Sequence, residues 1–187
     1  MEYASVDSVD CHLRESYGSC ENLPFYDEHE GERFCVLHFP SANKEDEFRK
    51  ALQNKLEQRD FNFEGIYFPE WLRYAFAKSV FDTDVSFDNA TFCGAMHFTE
   101  AQFKGERATF RAAQFSGESI DFTKAQFSGW TEFTEAKFSS GFTNFREAQF
   151  SGERTNFTKA QFSGERTIFA EAQFSGWTDR LLRSPIQ

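Results

Sequence analysis

The chain has 187 residues and a formal net charge of −10, with phenylalanine at 26 positions against 3 Trp and 5 Tyr. That length suits one extended domain or two small ones, and no run approaches the 18 apolar residues of a membrane span. Residues 1–90 hold 19 acidic and 9 basic side chains, residues 91–187 hold 11 of each, so the excess negative charge is confined to the first half and a uniformly acidic surface is excluded.

Met1 to Asp10 is acidic and polar, without the basic start and apolar stretch of a secretory signal. The expected compartment is therefore the cytoplasm, where cysteines stay reduced or hold a metal. Residues 1–40 contain one metal-like constellation, Cys11, Cys20, Cys35 and His38, spaced C-x8-C-x14-C-x2-H. A Cys₃His set is a familiar structural zinc site, and a closed set of four protein ligands leaves no position for substrate. The segment is too small and polar to have its own core, a situation in which a metal staple helps. His12 and His29 are substitute ligands. In the alternative without metal, Cys35 and His38 lie on a strand, with Cys11 and Cys20 in a tail.

Residues 41–60 read as one helix capping the N-terminal end of a repetitive region. Asn43 is the expected cap with Asp46 as its capping-box partner. Phe48, Ala51, Leu52 and Leu56 form an apolar stripe. Pro69–Ala75 interrupts the repeats, and Trp71, Leu72 and Tyr74 are expected to pack on that helix.

Residues 61–176 are built on the block Phe-x-x-Ala-x-Phe. It occurs at Phe87–Phe92, Phe98–Phe103, Phe110–Phe115, Phe122–Phe127, Phe133–Phe138, Phe145–Phe150, Phe157–Phe162 and Phe169–Phe174, with weaker forms at Phe63–Phe68 and Phe76–Phe81. Connectors such as Ser-Gly-Glu-Arg-Thr separate the blocks, giving a period of 11 or 12. A helix would scatter phenylalanines spaced by five around its circumference. A coil that turns a corner every few residues instead directs Phe and the small Ala two positions earlier inward, and the residue between them (Gln102, Gln114, Gln126, Lys137, Gln149, Gln161, Gln173) outward. Cys93 and His97 fall in an early connector, where the reading is an apolar filler and a surface residue.

These blocks resemble the pentapeptide-repeat family, over about 112 residues. The resemblance implies a mainly β fold, a right-handed quadrilateral parallel β-helix with four five-residue units per turn. Extra residues at the Ser-Gly connectors then expand each coil to 22–24 residues, and the blocks make about five coils. The rival geometry is a flattened coil of 12 residues with one block per turn, for which Phe is bulky. Residues 177–187, with Trp177, Leu181, Leu182 and Ile186, either fold over the open end or form a homodimer contact, as in related proteins that pair end to end.

No nucleophile–base set, phosphate loop or carboxylate pair stands out, so the expectation is a non-catalytic scaffold that binds another protein, without direct nucleic-acid or membrane binding. The family resemblance also supplies an alternative, mimicry of duplex DNA to occupy a topoisomerase such as DNA gyrase. The neutral charge balance of residues 91–187 speaks against it.

Overall fold

The computed structural model describes residues 11–20 and 23–179. The N-terminal part holds a one-turn helix α1 (Arg14–Tyr17), an antiparallel hairpin of β1 (Phe25–His29) and β2 (Glu32–Cys35), and helix α2 (Glu45–Glu57). The described residues that follow form a parallel β-solenoid of about five turns. None of the described helices is long and apolar enough to cross a membrane.

Each turn has four sides. Taken around the coil, the first side stacks Tyr67–Phe68, Thr91–Phe92, Gln114–Phe115, Lys137–Phe138 and Gln161–Phe162. The second stacks Met96–His97, Ser119–Asp121, Phe142–Asn144 and Arg166–Ile168. The third stacks Val80–Phe81, Gln102–Phe103, Gln126–Phe127, Gln149–Phe150 and Gln173–Phe174. The fourth stacks Val85–Ser86, Arg107–Thr109, Trp130–Glu132, Arg154–Asn156 and Trp177–Asp179. Partners in register include Phe81 with Phe103 and Phe127 with Phe150, so one coil takes two blocks and the 12-residue coil is not formed. The added residues sit at the Ser-Gly corners. There the inward residue after Phe115 is Ile120, five positions on, whereas within a block Phe87 is followed by inward Ala90 after three.

The interior consists of four phenylalanine columns. One runs Phe68, Phe92, Phe115, Phe138, Phe162, with ring centroids 4.7–4.8 Å apart and planes within 9° of parallel. Another runs Phe76, Phe98, Phe122, Phe145, Phe169, at 4.8–5.2 Å. Rings of different columns meet edge to face, as Phe110 and Phe122 do at 5.8 Å and 88°. Both arrangements suit the aromatic quadrupole, and each ring withdraws about 150–250 Å² from water. Ala101, Ala113, Ala125, Ala136 and Ala148 are fully buried beside them, which leaves room for the neighbouring ring. The intervening glutamines face outward as expected, Gln126 and Gln149 fully and Gln102 in part.

Within each block the chain turns on its third residue, which adopts a left-handed conformation although it is rarely glycine: Asn89, Glu100, Ala112, Lys124, Glu135, Glu147, Lys159 and Glu171 have φ of 53–61°. Such a residue costs about 1–2 kcal/mol. Two hydrogen bonds offset it. The Ala N–H closes the turn on the Phe carbonyl (Ala125 N to Phe122 O, 3.0 Å), and the left-handed residue's own N–H reaches the next coil (Lys124 N to Arg146 O, 2.9 Å). Glycine is needed instead at the connector corner: a Cβ on Gly152 would lie 2.0 Å from the Gly129 carbonyl oxygen. Ion pairs between coils line the outside, among them Arg111–Asp88 at 2.7 Å and Lys159–Glu135 at 2.8 Å.

Helix α2 covers the first coil. Phe48, Ala51 and Leu52 are buried, and Phe48 meets Phe68 and Trp71 edge to face at 6.0 and 5.7 Å. The expected Asn43–Asp46 capping box is absent. Lys44 occupies the N-cap without a side-chain cap bond, because the Asn43 N–H bonds Ser41 Oγ and its carbonyl accepts from the Tyr26 hydroxyl. Trp71 and Leu72 pack inward as expected, with Trp71 Nε1 donating to Ala42 O at 2.7 Å. Tyr74 does not: it is 68% exposed and stacks on His97 at 4.5 Å. His97 is accordingly half-buried, with Nδ1 3.8 Å from Asp121 Oδ2. Of the expected C-terminal cap or dimer contact at 177–187, only the backbone of strand Trp177–Asp179 falls within the described residues.

Removing a mid-column ring, Phe122→Ala, is expected to cost about 3–5 kcal/mol in urea unfolding. Removing the 37%-exposed terminal ring Phe162 is expected to cost under about 2 kcal/mol. Gly152→Ala is expected to cost about 1–3 kcal/mol by forcing two coils apart. Equal losses at Phe122 and Phe162 would contradict a core carried by the columns.

Candidate metal centre

Three local structures bring four donors together. Helix α1 ends on Gly18, left-handed at φ 64°, whose N–H caps Arg14 O. That reversal lets Cys11, on one side of the helix, and Cys20, on the other, converge. The hairpin turns through Glu30 and Gly31, both at positive φ, as a two-residue hairpin loop requires. Its second strand ends on Cys35, and the chain then folds back in a tight turn with His38 N and Phe39 N both bonded to Cys35 O. The C-x2-H spacing thereby places Cys35 Sγ 3.2 Å from His38 Nδ1. A backbone bond from His12 N to Arg33 O, 2.8 Å, sets Cys11 beside β2, with Cys11 Sγ 3.5 Å from the same Nδ1.

Cys11, Cys20, Cys35 and His38 are all buried, and their donor atoms lie within 4.8 Å of one another. A tetrahedral ion with Zn–S of about 2.3 Å and Zn–N of about 2.0–2.1 Å needs donor separations of roughly 3.6–3.8 Å, close to what the two sulfur–imidazole distances already give. The donors are therefore of the kind, number and spacing to bind one metal ion. His12 and His29 do not belong to the cluster. Both are exposed: His12 bonds Arg33 O and sits edge-on to Phe34, and His29 lies at the hairpin tip. Cys93 is half-buried on the second coil and outside the cluster.

The hydrogen bonds around His38 select the ligating nitrogen. Ser19 Oγ donates to Glu64 O at 2.6 Å, and His38 Nε2 lies 3.0 Å from Ser19 Oγ and 3.1 Å from Glu64 O. Nε2 thus carries a proton and faces two acceptors, which leaves Nδ1 toward the sulfurs. Metal-bound imidazoles are commonly oriented through their other nitrogen in this way. Glu64 belongs to the first turn of the solenoid, so the cluster is built onto the rod.

Electrostatics point the same way. Hydrogen bonds from Cys20 and then Cys35 push the Cys11 thiol far down, whereas the bond with Cys11 pushes the Cys20 thiol far up. Burial alone would lower His38, but its bonds to Cys11 and Cys35 outweigh that and raise it to about 9. A divalent cation at the centre stabilises all three thiolates together.

Two lysines that the sequence pattern did not single out complete the surroundings. Lys44 is 1% exposed, and its ammonium reaches Leu37 O, Phe39 O and Tyr67 O at 3.3, 2.5 and 3.3 Å. Burial pushes it down to about 7, opposed by the nearby Cys35 and Cys93; the faces of Phe48 and Tyr67 flank the ammonium. Lys55 bonds Ser19 O at 2.9 Å and Asp60 Oδ2 at 2.5 Å. A signal for both exists, since Lys44 and Lys55 fall in helical phase with Phe48, Ala51 and Leu52. Ser19 and the Glu64 carbonyl leave no such signal.

Comparison of the chain with protein-family models, with curated proteins and with solved structures returned no match.

Lys44→Met is expected to destabilise the protein by about 1–3 kcal/mol, read by thermal or urea unfolding, because the ammonium's bonds to the Leu37, Phe39 and Tyr67 carbonyls are lost. An unchanged midpoint would show that water replaces the ammonium.

Proposed function

We propose that this protein is a non-catalytic interaction scaffold, a pentapeptide-repeat rod that presents its walls to a partner protein and carries one structural zinc ion at its N-terminal end. The observation that supports the scaffold is the continuity of the rod. Its interior is filled by phenylalanine, and every wall is a ladder of outward side chains held in register over successive coils. A filled interior offers no enclosed pocket for a small substrate, whereas a stiff array of repeated side chains suits a macromolecular surface. The pentapeptide assignment rests on four sides per turn, each with two inward positions separated by one outward, as in Ala101, Gln102 and Phe103. The acids on the rod are in part tied to arginines and lysines of adjacent coils, which favours a protein partner over mimicry of a nucleic acid. Zinc is chosen because three thiolates and one imidazole form a closed tetrahedral set, and such a set is suited to the reducing cytoplasm.

Metal analysis of the purified protein is expected to give one zinc per chain, with Cys35→Ser falling below a tenth of that; a sub-stoichiometric wild type ends the zinc reading. For the scaffold, the double variant Gln126→Glu, Gln149→Glu alters one wall without touching the core. It is expected to weaken partner capture at least tenfold at an unchanged melting temperature. Equal charge changes on each of the four walls that all left capture intact would exclude the rod as the contact surface.

A further inference from the structure

The four donors do not sit on equivalent supports. Cys35 and His38 are fixed to the rod by contacts independent of any ion. Between them, Leu37 is buried and its carbonyl accepts from Tyr67 N of the first coil at 3.1 Å, while Lys44 bridges Leu37, Phe39 and Tyr67. Cys11 and Cys20 belong to residues 11–20, whose helix α1 buries no side chain. The buried residues of that stretch are Cys11, Ser19 and Cys20, two of them candidate ligands. Its other ties include the hydrogen bonds His12 N to Arg33 O, Ser19 Oγ to Glu64 O, Lys55 Nζ to Ser19 O and Asn62 Nδ2 to Tyr17 O, and side-chain packing of the half-buried Leu13 on the core, of His12 on Phe34 and of Tyr17 over Gly65. Ordering ten residues costs about 1–2 kcal/mol each in backbone entropy, more than this set of partly exposed contacts offsets.

We propose that the metal ion is a latch: it fastens residues 11–20 onto the first coil, and its removal frees that segment while the hairpin, α2 and the rod stay folded. The proposal rests on reading the cluster as a metal site. The latch has a consequence for the surface. The Tyr17 ring lies over Gly65, where an added Cβ would come 2.3 Å from it. From there it stands at the first-coil end of a shallow groove lined by Asn89, Ala112, Gln114, Glu135 and Lys159. Release of the segment removes Tyr17 and opens that groove toward the N-terminal end, uncovering Asn62 and Gly65. Metal occupancy thereby sets whether Tyr17 stands at the first-coil end of this groove.

The test is hydrogen exchange on the full chain, with metal content measured on the same samples before and after chelation. Peptides covering residues 11–20 are expected to exchange more than tenfold faster once the ion is removed, while peptides covering 98–157 are unchanged. Cys20→Ser is expected to reproduce the release without chelator. Asn62→Ala, which cuts one hydrogen bond to the segment and one within the first coil and keeps all four ligands, is expected to leave 11–20 protected. Continued protection of 11–20 after the ion has gone would overturn the latch. So would equal loss of protection across 98–157, or release in Asn62→Ala with metal retained. A protein that never takes up an ion sinks the metal reading itself, which the metal measurement separates from failure of the latch.

Discussion

Parallel stacking of phenylalanine at the spacing of β-strands is the constraint on which the rest of the molecule depends. Hydrogen-bonded strands lie about 4.8 Å apart, and aromatic rings in van der Waals contact can accept nearly the same step. In the columns the observed step is 4.5–5.2 Å. Backbone ladder and side-chain column therefore satisfy one repeat distance without strain in either. A branched aliphatic side chain could fill the same volume, but it has no flat face to repeat at that distance.

From that match come the other regularities. Alanine precedes the second ring of each regular block by two residues, where the converging columns leave space for nothing larger. Corners must be made where the ring positions allow. Inside a block this forces a left-handed residue, offset by a hydrogen bond to the next coil, and at the connectors it forces glycine, where two backbones nearly touch. The walls carry no such demands, which is why their side chains vary from Asp84 through Arg107 to Trp130 at one repeat position. Specificity of any partner must be written there.

A stack of this kind has to begin somewhere, and the first coil would expose Phe63, Phe68 and Phe81 without cover. Helix α2 supplies it, tied down by two lysines whose ammonium groups are absorbed by backbone carbonyls and one carboxylate. The Cys₃His cluster lies at the same junction, between the hairpin and the turn at Glu64. The buried polar groups of the junction are thus concentrated at one end of an otherwise repetitive rod, where the N-terminal segment meets the first coil.

The sequence by itself determined the repeat, the inward Phe and Ala and the outward glutamines, because these depend on periodicity and side-chain size alone; that one coil takes two blocks was decided by the strand register. The sequence also singled out Cys11, Cys20, Cys35 and His38 by residue type. What only the tertiary structure decided depends on contacts distant in the chain. The convergence of the four donors relies on a 27-residue separation between Cys11 and His38. The orientation of His38 relies on a carbonyl 26 residues away, and carbonyls are present at every residue and so carry no sequence signal. The helix start moved from Asn43 to Lys44 because a buried site for an ammonium, formed by Leu37, Phe39 and Tyr67, outweighed a local capping preference. Tyr74 turned outward because Trp71 and Leu72 already fill the space against α2 and the core, leaving it the exposed face of His97.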